Sequence, residues 1–180
     1  MQEGDVIIAM PASGLHANGY SLVRHILKTQ DLNLDSHIAD FGKTLGEVLL
    51  TPTEIYSLDC LALQRGLKEN LHGYAHITGG GLASNTARVI PSHLTATFDR
   101  STWALPLEVA YLAGVGGVAQ PDYEKTWNCG VGMVALVAPE AADLALRSLA
   151  ARGMKAWVCG KIERRTAESG STLVGKYQER

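Results

Sequence analysis

The chain is short of cysteine, has no excess of positive charge and has no long apolar run, and each shortage removes a class of function. Only Cys60, Cys129 and Cys159 occur in 180 residues. They are widely spaced, odd in number and form no CxxC pair, so neither a disulfide framework nor a structural zinc site is expected. Buried thiols in a reducing cytoplasm are the simple reading. Sixteen basic residues stand against eighteen acidic ones, for a net charge of -2. A dedicated nucleic-acid binder would be basic, so no nucleic-acid partner is expected. No apolar segment is long enough to span a bilayer and the N-terminus does not read as a signal peptide, so no membrane partner is expected either. Internal repeats, low-complexity linkers, the GxxxxGK[ST] phosphate loop and a full GxGxxG fingerprint are also missing.

What remains suits one globular domain. The chain is 46% hydrophobic and 19% charged, enough for a sizeable core. Asp5 to Met10 reads as a buried strand and the segment from Asn18 or Gly19 to about Thr29 as an amphipathic helix. Asp31 to Gly42 is polar and looped. Thr44 to Leu50 is apolar until Thr51-Pro52 breaks it, and Tyr56 to Glu69 is helical. Gly73 to Ile77 is a short strand, followed by a helix over Leu82 to Val89 that Pro91 stops. Leu94 to Phe98 alternates like a strand, Pro106 to Gly114 is a short helix and Gly114 to Gly117 a glycine-rich joint. Asp122 to Trp127 is a further helical stretch and Val131 to Val137 an apolar strand. Pro139 to Arg152 carries proline in its first turn and Gly153 at its end, as a helix should. Ala156 to Ile162 is the last strand, and from Arg164 the chain is polar and expected to fray. Strands and helices mixed at uneven spacing point to an α/β domain with a mixed sheet rather than a strand sandwich.

Two turns carry the chemistry. Ser13-Gly14-Leu15-His16-Ala17-Asn18-Gly19 lies between a strand end and a helix start. Free N–H groups and the positive end of the helix dipole attract anions there. Gly14 and Gly19 allow tight turning, Ser13 and Asn18 can bond a phosphate or ribose, and His16 can protonate or stabilise charge near neutral pH. The plainer reading is a capping loop with Asn18 as cap and His16 on the surface. Thr78-Gly79-Gly80-Gly81 follows the same logic, with an anion nest and close helix–strand packing as the two uses of its glycines. Two such turns suggest a phosphorylated ligand. Asn128 is a polar group at a strand edge. Cys129 lacks a basic neighbour in sequence, which argues against a nucleophile. His72 and His76 do not have metal spacing, and Trp103, Trp127 and Trp157 read as core or interface residues.

Taken in order, these segments resemble a known family. Gly4 to Ile8, Ser13 to Val23, Leu49 to Tyr56, His76 to Leu82, Pro91, Trp103, Pro106 and Thr126 to Met133 look like the C-terminal domain of the phosphoribosylformylglycinamidine cyclo-ligases, the aminoimidazole ribonucleotide synthetases of purine biosynthesis. The likeness covers about residues 4 to 162. Ala17 departs from it, since many relatives carry serine there.

The resemblance implies a three-layer α/β/α domain with a mixed sheet, partly ferredoxin-like, over residues 1–163, with a polar tail over 164–180. It implies a cytoplasmic ligase that uses ATP and Mg2+ to close formylglycinamidine ribonucleotide into aminoimidazole ribonucleotide. ATP and the metal would be held mainly by an N-terminal nucleotide-binding domain, which also builds a homodimer. That domain is absent here, so the chain is expected to be inactive without it. His16 would be the catalytic residue. Ser13, Gly14, Asn18, Gly19, Thr78, Gly79, Gly80, Gly81 and Asn128 would line the substrate cleft, with no metal ligand among them. The alternatives are a sibling enzyme (formylglycinamidine synthetase, thiamine-phosphate kinase, selenophosphate synthetase or the hydrogenase maturation protein) and a non-catalytic phosphate-ligand module.

Overall fold

A computed structural model describes residues 1–165 and 170–179. Its centre is β1 (Val6–Pro11), whose Ile7, Ile8, Ala9 and Met10 are all fully buried. Alternation sends Ile7 and Ala9 into one apolar cluster and Ile8 and Met10 into another, so both faces of this strand are covered. β6 (Val131–Val137) is antiparallel to β1 on one side and β7 (Trp157–Arg164) on the other. β4 (Leu71–His76) pairs with β6, and β5 (Leu94–Asp99) with β7. The sheet closes with β8 (Ser171–Val174), parallel to β5, giving the order β4-β6-β1-β7-β5-β8.

Helix α3 (Ser57–Leu67) connects β1 to β4, and α7 (Ala142–Ala150) connects β6 to β7. Each returns the chain to a strand one place removed, and the two pack side by side on β1, with their Leu63 and Leu149 in one cluster with Ile8 and Met10. With the insertions over residues 12–56 and 77–130 set aside, β1-α3-β4-β6-α7-β7 is the split βαβ arrangement of a ferredoxin-like unit. On the opposite face, α4 (Gly81–Ala87) places Leu82 against Ile7, Ala75 and Phe98. Helices thus cover both faces of a mixed sheet, the architecture expected from the sequence.

A third apolar cluster lies among helices. It joins α1 (Tyr20–Thr29), α2 (Leu45–Leu49), α5 (Leu107–Gly116) and α6 (Gln120–Thr126) through Val23, Ile26, Leu45, Leu112 and Trp127. Thr44 and Glu47 form a reciprocal capping box that starts α2, with Glu47 N–H donating to Thr44 Oγ1 at 3.2 Å. The polar stretch 31–42 is not all loop, because β2 (His37–Ile38) pairs with β3 (Lys43–Thr44). The glycines at 114 and 116 lie within α5 rather than in a joint. A Cβ at Gly116 would come within 2.7 Å of Ile26 Cγ1, so the glycine lets α5 press on α1.

The end of the chain differs most from expectation. Instead of fraying after Arg164, it adds β8 and then a strap (residues 166–169 and 180 lie outside the described residues). Tyr177 Oη donates to Glu124 Oε1 at 2.9 Å and its ring meets Trp103 edge-on at 5.4 Å. Arg100 binds both carboxylate oxygens of Glu124, at 2.7 and 2.8 Å, and donates to Leu173 O. A polar tail is held because its partners lie on distant elements. Among the described residues no helix is long and apolar enough to cross a membrane.

Candidate functional site

The loop after β1 is pinned from several sides. Ala12 N donates to Gly130 O at 2.9 Å, and Ser13 Oγ donates to Pro52 O at 2.6 Å. From below, Asn128 donates through Nδ2 to Gly14 O at 2.8 Å and accepts from Gly130 N at 2.9 Å. Asn128 is 1% exposed, with both ends of its amide engaged in holding the loop. Gly19 caps α1 in the left-handed conformation, φ 73°, and no side chain caps the helix. A Cβ on Gly19 would lie 2.5 Å from Trp127 Nε1. Asn18 is thus not the cap. Its Oδ1 accepts from Gly79 N at 3.1 Å, which ties the first turn to the second.

His16 is the unusual residue. It adopts φ 57°, uncommon for a non-glycine residue, and is only 4% exposed rather than on the surface. Its Nε2 accepts from Ser13 N at 3.1 Å. Its Nδ1 is buried without a hydrogen-bond partner among the described residues. A buried polar group left so costs about 1–3 kcal/mol, a cost with no structural return. Burial lowers the His16 pKa below the ordinary 6.5; nearby His76 adds to this, and Glu54 opposes it. The imidazole is therefore held toward its uncharged form.

Around it, Tyr56 stands between two imidazoles, 6.2 Å from the His16 ring and 6.3 Å from that of His76. Tyr56 Oη donates to Pro11 O at 2.7 Å. His16 also borders a cavity of about 470 Å³ shared with Ala17, Tyr20, Arg24, Leu50, Thr51 and Thr53. Tyr20 Oη donates to Leu49 O on its wall. The cavity therefore offers a cation, threonines and backbone beside a buried imidazole.

The second turn is built differently. Asn85 (5% exposed) donates to the carbonyls of Thr78 and Gly81 at 3.1 and 2.8 Å and accepts from Thr78 Oγ1 at 3.1 Å. Gly81 has φ 72°, and a Cβ there would overlap the Glu124 carbonyl oxygen and sit 2.8 Å from its carbon. Packing of α4 on α6 is thus the use of that glycine. Gly80 borders a separate cavity of about 500 Å³ between α4, α6 and β8, and a Cβ on Gly79 would point into open space.

The structure brings Ser13, Gly14, His16, Asn18, Gly19 and Asn128 into one loop cluster, with Gly79 joined to it through Asn18. Thr78, Gly80 and Gly81 turn toward α4 and α6. Sequence reasoning missed Tyr56, Gly132 and Arg24 as neighbours of His16. The glycine inside the apolar run of β6 was the readable signal for one of them. Cys129 is 3% exposed, and burial chiefly, with Glu124 nearby, pushes its thiol up to about 12, so it is no nucleophile at neutral pH. His72 Nδ1 pairs with the fully buried Asp5 at 2.6 Å. It lies four strand residues, about 13 Å, from His76, too far to share a metal.

Comparison with known proteins follows the same outline. A family model described as AIR synthase related protein, C-terminal domain, matches residues 2–171. A Streptomyces fradiae protein provisionally named phosphoribosylformylglycinamidine cyclo-ligase is 58% identical over 184 residues, which cover 98% of this chain and 99% of that one. The phosphoribosylformylglycinamidine cyclo-ligase of Paraburkholderia phymatum is 44% identical over 172 residues, 95% of this chain but 47% of its own length. The chain thus spans about half of that enzyme and nearly all of the Streptomyces protein. Among solved structures, a thiamine-monophosphate kinase from Stenotrophomonas maltophilia matches with a TM-score of 0.62 at 16% identity, over 98% of this chain and 52% of that one. The hydrogenase maturation protein HypE of E. coli matches with a TM-score of 0.59 at 18% identity, over 98% of this chain and 48% of that one. At these identities the likeness is one of fold.

Proposed function

The chain belongs to the AIR synthase related protein family, whose C-terminal domain it matches, and on that footing we propose that it supplies the substrate-facing half of an ATP-dependent cyclo-ligase. The reaction is the closure of formylglycinamidine ribonucleotide to aminoimidazole ribonucleotide in purine biosynthesis, in the cytoplasm. The observation that carries the assignment is the buried His16 imidazole, unpartnered at Nδ1, on a loop that several hydrogen bonds hold in place. Such a group is preorganised to meet a ligand, which is what stabilising charge at a reacting oxygen requires.

The residues divide the work. His16 faces the reacting part of the substrate. Arg24, on the wall of the same cavity, supplies positive charge for its phosphate. Ser13, Gly14, Asn18, Gly19 and Asn128 shape and fix the loop, and Gly79 extends its surface. Thr78, Gly80 and Gly81 support that surface from the α4 side. Among the described residues no group of three or more His, Cys, Asp or Glu is placed to hold a metal. In this reading magnesium and ATP are held mainly by an N-terminal partner domain, for which the greater length of the Paraburkholderia enzyme leaves room. The same partner builds the dimer.

Turnover of formylglycinamidine ribonucleotide with ATP and magnesium tests this. It is measured on the chain alone and on the chain joined to the N-terminal half of the Paraburkholderia relative. Activity only in the joined protein supports the assignment. A folded joined protein without activity moves it to a sibling enzyme or a phosphate-binding module. Activity of the chain alone ends the half-site reading.

A further inference from the structure

The Ser13 amide donates to His16 Nε2 at 3.1 Å. A backbone N–H can only donate, so Nε2 holds a lone pair and the ring proton sits on Nδ1. The nitrogen left without a partner is therefore a hydrogen-bond donor, not a base. For Nε2 to take a proton, the Ser13 bond would have to break.

Two residues outside the loop set the place of the ring. Gly132 lies inside β6, where glycine weakens a strand unless something approaches closely. Its φ is not in the left-handed region, so backbone freedom does not explain it. Space does. A Cβ at Gly132 would overlap the Tyr56 hydroxyl oxygen and lie 2.6 Å from His16 Cε1. Tyr56 is 4% exposed and is anchored through Oη to Pro11 O, where β1 ends and the His16 loop begins. The rings of Tyr56 and His16 therefore share the floor that Gly132 leaves open.

We propose that His16 serves the site as an Nδ1–H donor of fixed tautomer to an oxygen acceptor of the substrate, with Tyr56 and Gly132 as its positioning residues. The proposal rests on the reading that this loop faces the substrate, and its test separates the two. The tautomer is a property of the chain by itself, whereas the acceptor is a property of the ligand. Two acceptors share this chemistry, an amide oxygen and a phosphoryl oxygen.

The experiment is nitrogen-15 NMR of the histidine side chains, in the chain alone for the tautomer and, for the acceptor, in the chain joined to the N-terminal half of the Paraburkholderia relative, with and without formylglycinamidine ribonucleotide and separately with inorganic phosphate. His16 is expected to show a protonated Nδ1 and a lone-pair Nε2, distinct from an averaging surface histidine. A proton on Nε2, or fast averaging, overturns the proposal whatever the turnover. With the tautomer as expected, a resonance shifted by the nucleotide alone assigns the amide oxygen. A shift with both ligands assigns a phosphoryl oxygen. A shift with neither overturns the donor role and leaves the tautomer standing.

Gly132→Ala is expected to give mixed tautomers and, in the joined enzyme, to lower kcat about 100-fold with KM little changed, the cost of a misplaced group. Should that variant fail to fold, Tyr56→Phe carries the test. It keeps the ring and loses only the anchor to Pro11, so a partial loss of the single tautomer is expected. An unchanged tautomer in Tyr56→Phe removes Tyr56 from the positioning set.

Discussion

The two glycine turns look alike in the sequence and do opposite things in the fold. Around Asn85 the donors and acceptors of the second turn are matched, and the bare face of Gly81 is filled by the backbone of α6. In the first turn the backbone is equally well tied, yet a buried imidazole is left with an unpartnered nitrogen. A glycine shows that a side chain would not fit. Whether protein or ligand occupies that space is decided by neighbours far away in sequence. Satisfied polar groups indicate a joint, whereas an orphaned buried one calls for a partner the chain does not supply, a ligand, an ion or water.

That contrast can be tested at each turn. Gly81→Ala combines an unfavourable φ with a clash against backbone that cannot rotate away. It should cost about 3–5 kcal/mol in denaturant unfolding. A loss below about 1 kcal/mol would mean that the α4–α6 contact yields and the turn is not a packing joint. His16→Ala should do the reverse. In the joined enzyme, turnover falls by about 100-fold or more, the usual loss for one oriented donor. Stability of the chain should move by less than about 1 kcal/mol, since the lost ring contacts are offset by removal of an orphaned group. Near-normal turnover with a large drop in the urea midpoint would place His16 in the packing class instead.

Asn85→Ala removes the side-chain donor to the carbonyls at 78 and 81, of which Thr78 O keeps the Gly81 amide at 3.1 Å. A fall of about 2 kcal/mol in unfolding free energy is expected, and a neutral result would show that water replaces the amide. The smallest effect is pH dependence. His16 is held uncharged below its ordinary pKa of 6.5 chiefly by burial, with His76 acting in the same direction and Glu54 against it. Between the folded and unfolded values the unfolded chain binds more protons, so stability is full above about 6.5 and declines as pH falls below it. His16→Gln should flatten that decline in urea midpoints measured across the range. A slope unchanged by the substitution would assign the acid sensitivity to other groups.

Much of the sheet could be read without coordinates. The bounds of β6 match the sequence reading because six apolar residues and one glycine between Gly130 and Ala138 have few other options. β5 followed from Leu94, Ala96 and Phe98 alternating with threonines. The strap at the end was not legible. Its strand is four residues long, and Tyr177 depends on Trp103 and Glu124, each more than fifty residues away. The loop was legible as a site from its residue types, but not its state. Asn18, the cap in the plainer of the two readings, is instead a bridge to Gly79, because the cap position falls on Gly19, whose left-handed backbone glycine adopts without a Cβ penalty.

The sequence by itself determined the alternation that builds a two-faced sheet, the breaks at Pro52 and Pro91, the family, and the loop in which His16 lies. These are local matters of period, backbone restriction and ordered motifs. Only the tertiary structure decided which nitrogen of His16 is free, that Gly132 makes room for Tyr56, and that one glycine turn is a joint while the other holds an unanswered donor. Each of these depends on atoms brought together from distant parts of the chain, and hydrogen bonding and excluded volume act between atoms in space, whatever their separation along the sequence.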